Sequence, residues 1–131
     1  MLTGSCHCGN IEWTLDALPT LVTTCNCTVC RRYGSMCAYG ILDQDIHTSG
    51  KSESYRRQDS GSINFHFCTT CGCMTHFIES SPNKTGKIRT AVNVRMSDPS
   101  PINDVPIRHF EGHNSFTPLP SDGRTVRDMW F

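Results

Sequence analysis

The chain has 131 residues, nine of them cysteine, and its 12 basic side chains balance 12 acidic ones. Balanced charge gives no basic excess to hold a nucleic-acid backbone, and no apolar run is long enough to span a membrane. The opening residues, from Met1 to Cys6, lack the basic and apolar segments of a secretory signal. The expected setting is therefore the reducing cytoplasm, where clustered cysteines bind metal or do redox chemistry more often than they form structural disulfides. An odd cysteine count fits the same view. The length favours one domain over residues 1–131.

Most of the chain reads as short strands separated by turn residues. Ile11, Trp13 and Leu15 alternate with polar residues, the pattern of a half-buried strand. Thr20 to Thr24 is rich in β-branched residues and continues that character. Asn26 to Tyr33 is expected to form a short helical segment, ended by Gly34 in the left-handed conformation. Met36 to Leu42 is a mostly apolar run with strand length. Ile63, Phe65 and Phe67 give one apolar face, and Met74 to Glu79 follows a tight turn at Cys71-Gly72, so the two runs predict a hairpin. Ile88 to Met96 predicts a further strand with Val92, Val94 and Met96 on one face. Breakers at Ser80 to Gly86 and Ser97 to Pro106 read as loops, the second leading to a shorter apolar run around Ile107. Met129, Trp130 and Phe131 give the chain an apolar end, which is expected to dock on the body. The fold class expected is mainly β.

The cysteines carry the chemistry. Three groups stand out: Cys6 and Cys8; Cys25, Cys27 and Cys30; and Cys68 and Cys71 with Cys73 close behind. Cys68-x-x-Cys71-Gly72 has the form of a zinc knuckle, two thiolates on a tight turn followed by a glycine that permits positive φ. A closed structural zinc site needs four ligands, whereas three ligands with an open position is the usual form of a catalytic one. Seven cysteines then divide into Cys6, Cys8, Cys68 and Cys71 as a closed site and Cys25, Cys27 and Cys30 as an open one, two zinc ions per chain. Cys37 and Cys73 read as small buried hydrophobes. A thioredoxin-like redox pair lacks its βαβ setting. A binuclear cluster or an iron–sulfur centre would draw on the same ligands. The six histidines are scattered and are left outside the metal shells.

These motifs resemble a known family. Gly4-Ser5-Cys6-His7-Cys8-Gly9, Cys25-x-Cys27-x-x-Cys30-Arg31-Arg32 and Phe67-Cys68-x-x-Cys71-Gly72 are similar to the glutathione-dependent formaldehyde-activating enzymes, a family that includes centromere protein V. The likeness continues in Val92-Asn93-Val94-Arg95 and Arg108-His109-Phe110-Glu111-Gly112. The resemblance implies a β-tent of twisted antiparallel sheets pinned by zinc. It also implies structural roles for Cys6, Cys8, Cys68 and Cys71 and catalytic roles for Cys25, Cys27 and Cys30. The family activity is formation of S-hydroxymethylglutathione from glutathione and formaldehyde, a carbon–sulfur lyase reaction.

A zinc with three thiolate ligands is a weak electrophile. It suits a bound thiolate that stays nucleophilic, and so the addition of a small thiol to a small carbonyl, or the reverse. The expected partner is a small thiol such as glutathione, with neither nucleic acid nor membrane. Arg31 and Arg32 are candidates for gripping a carboxylate of that thiol. Their other reading is as cations at a helix C-terminus. The competing function is a zinc-stabilised interaction module without catalysis. A nucleic-acid-binding zinc ribbon ranks below both, for want of an aromatic and basic stripe.

Overall fold

A computed structural model describes residues 1–59 and 61–129. It contains two sheets. The smaller has the order β1-β2-β5, from β1 (Leu2–Ser5), β2 (Glu12–Leu15) and β5 (Ile46–Ser49). The larger has the order β11-β10-β3-β4-β9-β8-β7-β6. Its strands are β3 (Val22–Cys25), β4 (Met36–Ile41), β6 (Glu53–Arg56), β7 (Ile63–Phe67), β8 (Met74–Glu79), β9 (Arg89–Asn93), β10 (Ile107–Glu111) and β11 (Thr117–Pro118). Neighbouring strands run antiparallel except β3 and β10, which are parallel. Among the described residues, no helix is long and apolar enough to cross a membrane.

Strand alternation gives the large sheet two different faces. One face presents Val22, Met36, Ala38, Val92 and Ile107 to a core completed by Leu2, Trp13, Leu15 and Ile46 of the small sheet. The opposite face carries Cys37, Phe65, Phe77 and Ala91. Trp13, only 1% exposed, dominates the first core. Its indole lies across β1 at Gly4, its cross-strand partner, where any Cβ would overlap the ring. A glycine in that strand is therefore a packing requirement, not a flexible point.

The hairpin expected around Cys71-Gly72 is present, with Phe65 opposite Phe77 and His66 opposite His76. The helical segment is shorter than expected. Regular α-helix (α1) covers Cys30–Tyr33, and Gly34 closes it at φ 62°, ψ 30°. The strand expected through Met96 ends instead at Asn93, and Val94–Met96 forms a 3₁₀ turn. Asn93 is the cause. Its side-chain oxygen accepts the Arg95 and Met36 amides, and its amide donates to the Met74 carbonyl at 2.9 Å. A side chain that binds backbone on three segments caps the turn and stops the ladder. Val94 and Met96 still pack on the main core, so the apolar pattern reported burial correctly and geometry wrongly. The Ser97 to Pro106 segment is less of a surface loop than its breakers imply. It contains a 3₁₀ turn, Ser100–Ile102, whose Ile102 is fully buried. Met129 packs on the main core, whereas the docking expected of Trp130 and Phe131 lies outside the described residues.

His76 is 3% exposed and stacks on His66 with ring centroids 4.6 Å apart. Burial, and then the neighbouring His66, push its pKa from the ordinary 6.5 to about 4. The unfolded chain therefore takes up a proton near pH 6.5 that the folded chain refuses until about pH 4. Stability from this residue is complete above pH 6.5 and falls as the pH drops below it. Between pH 6.5 and 4.5 the loss is about 2 kcal/mol. The acid-side slope of stability against pH, measured by urea denaturation, should be shallower by about that amount in His76→Gln.

Candidate functional site

Two cysteine clusters form, and they are built differently. Cys6, Cys8, Cys68 and Cys71 place four sulfurs within 4.8 Å of one another. The Cys6–Cys8 and Cys8–Cys68 sulfurs are 3.6 and 3.5 Å apart. That is far beyond a disulfide bond and close to the roughly 3.8 Å edge of a tetrahedron with metal–sulfur bonds near 2.3 Å. Each half is a tight turn closed by glycine in the left-handed region, Gly9 at φ 80° and Gly72 at φ 76°. Backbone amides point at the sulfurs: Ile11 N donates to Cys6 Sγ at 3.3 Å, and Thr70 N to Cys68 Sγ at 3.4 Å. Such N–H···S bonds stabilise thiolates. Cys71 is lowered to about 5, first by the backbone amide of Cys73 and then by that of Cys8. Cys73 itself is half-buried against this cluster.

The second cluster gathers only three sulfurs, those of Cys25, Cys27 and Cys30, again within 4.8 Å. Cys25 ends β3, and Cys30 begins α1. The turn between them is held by Cys27 N donating to Cys25 Sγ and Cys30 N to Cys27 Sγ, both at 3.4 Å. The Cys25–Cys30 thiol contact is the largest influence on both groups. It lowers Cys25 to about 6 and raises Cys30, so the pair carries a thiolate at neutral pH. Cys37 does not join the cluster. It is buried on β4, where burial pushes its thiol up to about 12 and keeps it protonated. None of the histidines belongs to either group.

A cavity of about 490 Å³ opens over the three-cysteine cluster and reaches all three residues. Its floor is the second face of the large sheet. Phe65 and Phe77 meet edge to face at 5.8 Å, and Tyr39 meets Phe77 at the same separation. Phe110 and Phe116 form a rim, with rings 5.0 Å apart and nearly perpendicular. Three arginines also line it: Arg57, Arg89 and Arg108. Arg31 and Arg32 do not. Arg31 is exposed, Arg32 donates to the Thr28 carbonyl at 2.7 Å, and both occupy the last turn of α1.

The rim is tied to the cluster by residues whose function sequence reasoning did not assign. Asn26, between the first two cysteines, accepts the Gly112 amide at 2.8 Å and donates to Glu111 at 2.9 Å. The Glu111 carboxylate also accepts the amides of His113, Asn114 and Ser115. Those bonds, Asn26 first, hold its pKa down at about 2, so the clamp stays ionised at any ordinary pH. Gly112 has a steric reason. A Cβ there would sit 2.5 Å from Cys25 Sγ and 3.1 Å from Cys27 Cβ. The signal was present in Arg108-His109-Phe110-Glu111-Gly112, but only the parallel pairing of Phe110 with Cys25 shows what the run is for.

The molecule is thus a mainly β protein with two cysteine clusters that could hold metal ions, one closed and one facing a cavity. The description "Glutathione-dependent formaldehyde-activating enzyme" matches residues 1–105, and the chain belongs to that family. None of the curated proteins is similar enough to match. Among solved structures, a crystal structure of a Rhodobacter sphaeroides protein from structural genomics is similar, with TM-score 0.60 and 25% identity over 81% of this chain and 99% of that one. The β-tent implied by the sequence motifs is the architecture found.

Replacing Gly112 by alanine should push Cys25 out of its cluster. Affinity for a thiophilic divalent ion at Cys25, Cys27 and Cys30 is expected to fall at least tenfold, on the order of 1.4 kcal/mol or more. The four-cysteine cluster should keep its affinity. Competition against a coloured chelator would resolve the two sites.

Proposed function

We propose that the chain is a zinc enzyme that adds a small thiol to a small carbonyl compound, or releases it, at Cys25, Cys27 and Cys30. The observation that carries this reading is the difference between the clusters. Four sulfurs close upon each other at one, while three sulfurs face a cavity at the other. Both donor sets fit zinc, being all cysteine sulfur, preorganised by backbone amides and free of competing oxygen ligands. Cys6, Cys8, Cys68 and Cys71 would hold the structural ion, and Cys25, Cys27 and Cys30 the other. When bound there, zinc supplies the positive charge that keeps an added thiol deprotonated near neutral pH.

The chain's own residues do the rest. The aromatic floor excludes water and so limits loss of the carbonyl to hydration. The cavity holds both reactants, which makes their encounter effectively intramolecular. In the forward direction a sulfur–carbon bond forms, the carbonyl π bond breaks, and the proton leaves sulfur and ends on oxygen. The reverse releases thiol and carbonyl. Glutathione and formaldehyde are the pair in the family's description and the first substrates to test.

Two zinc ions per chain are expected by elemental analysis after purification in reducing, chelator-free buffer. Cys68→Ala should remove the link between the hairpin and the N-terminal turn and lower the melting temperature by roughly 10 °C or more. Cys27→Ala should leave the melt within a few degrees of wild type, roughly the effect of 1 kcal/mol, and abolish activity. Equal, severe destabilisation by both would make the middle cluster structural and favour the interaction module. In cobalt-substituted protein, an added thiol should shift the thiolate charge-transfer bands. Bands that no thiol moves would end the enzyme reading.

A further inference from the structure

Given the reading of the cavity as the thiol site, we infer its substrate class: an aromatic thiol carrying a single carboxylate, seated against Phe110 and Phe116 and held by Arg108. This is a different class of ligand from a zwitterionic peptide.

Charge pairing makes the first part of the case. Arg57 lines the cavity but is engaged by Asp59 through two hydrogen bonds, of 3.0 and 2.9 Å. Arg89 donates to Glu79 at 2.7 Å and lies 4.2 Å over the Tyr39 ring. Arg108 has no hydrogen bond or ion pair from its side chain among the described residues. It is the one lining guanidinium free to receive an anion there. No aspartate or glutamate lines the cavity among the described residues. The nearby carboxylates of Asp59 and Glu79 are paired, and that of Glu111 is filled by the amides it clamps. An ammonium group would find no counter-ion. Glutathione carries one, beside two carboxylates, and only one unpaired cation awaits them.

Shape makes the second part. Arg108 and Phe110 stand on the same side of β10, opposite Thr23 and Cys25 of β3. Two residues along a strand advance about 6.6 Å. That offset sets Arg108 one residue pair beyond Phe110, which is level with Cys25, so the cavity wall runs from the cluster past an aromatic ring to a guanidinium. The apolar walls between them are aromatic, and aromatic faces favour an aromatic guest over an extended polar backbone.

Phe116 supplies the third, independent observation. The residue is 73% exposed, and its backbone sits at φ 54°. A bulky residue in the left-handed region is an outlier with an energetic cost, sustained only where the surroundings enforce it. The Glu111 clamp, which fixes the amides of Asn114 and Ser115, immediately precedes it in the chain. The product is an aromatic ring held at the cavity mouth beside the ring of Phe110. A flat apolar ligand would cover it.

Calorimetry with sulfur-free probes on the zinc-loaded full chain tests the class without relying on thiol chemistry. We expect 3-phenylpropanoate to bind and its amide to bind at least tenfold more weakly. Arg108→Gln should lose at least tenfold affinity for the acid and leave the amide unchanged. Phe116→Ala should weaken both severalfold. Melting curves check that the variants remain folded. S-methylglutathione should bind more weakly than 3-phenylpropanoate. The inference is overturned if the acid does not bind at millimolar concentration, if acid and amide bind alike, if Arg108→Gln binds the acid as wild type does, or if S-methylglutathione binds more tightly. The thiol reading is decided separately by the cobalt spectrum. A silent spectrum with intact acid binding removes the thiol and leaves an aromatic-acid site. A responsive spectrum with no acid preference does the opposite.

Discussion

Four sulfurs from turns far apart in sequence converge at one point, which brings the β1–β2 turn against the β7–β8 turn. Cys8 and Cys68 meet across 60 residues. The small sheet beside them has three strands of four residues each. A sheet of that size has little independent stability and must be held against something larger. Trp13 supplies apolar burial, and the Cys8–Cys68 contact places the turn of the small sheet beside the hairpin of the large one. Once the small sheet is in place, one face of the large sheet is sealed and only the other is free for chemistry.

The division between those faces comes from a period of two residues. Along β4, Met36 and Ala38 enter the sealed core, while Cys37 and Tyr39 point to the cavity side. The same alternation sends Val92 one way and Ala91 the other, and places Arg108 and Phe110 beside Thr23 and Cys25. Fold and site are thus read from the same strands. A one-residue register slip in β4 would exchange core for cavity lining and damage both together.

Much of this was legible in the sequence because the signals were local. Alternation marked the strands at Trp13 and Phe65, and the breaker pair at Cys71-Gly72 marked the hairpin. Cysteine spacing named the two groups that the fold assembles. What was illegible depends on partners distant in the chain. The Leu2–Ser5 and Glu53–Arg56 strands each carry a single large apolar residue, Leu2 and Tyr55, so no alternation shows in them. The strand expected through Met96 was stopped by Asn93, whose partners Met36 and Met74 belong to other strands. The arginines of the cavity escaped notice for the same reason. Arg31 and Arg32 adjoin a cysteine in sequence, whereas Arg108 reaches the cluster only through a parallel pairing that no local pattern announces.

That parallel pairing also bears on the order in which a nascent chain acquires its parts. Thr24 and His109 meet across 85 residues, and an encounter that distant pays loop-closure entropy before contacts reward it. As synthesis proceeds, the three cysteines of the middle group emerge early, long before β10 exists to cover them. Between those moments they are bare thiols, open to oxidants or to any stray thiophilic ion. The late strand forms a wall of the cavity, with Arg108 and Phe110 in its lining. Its arrival, with the glycine that fits over Cys25, converts a reactive stretch of peptide into a guarded site.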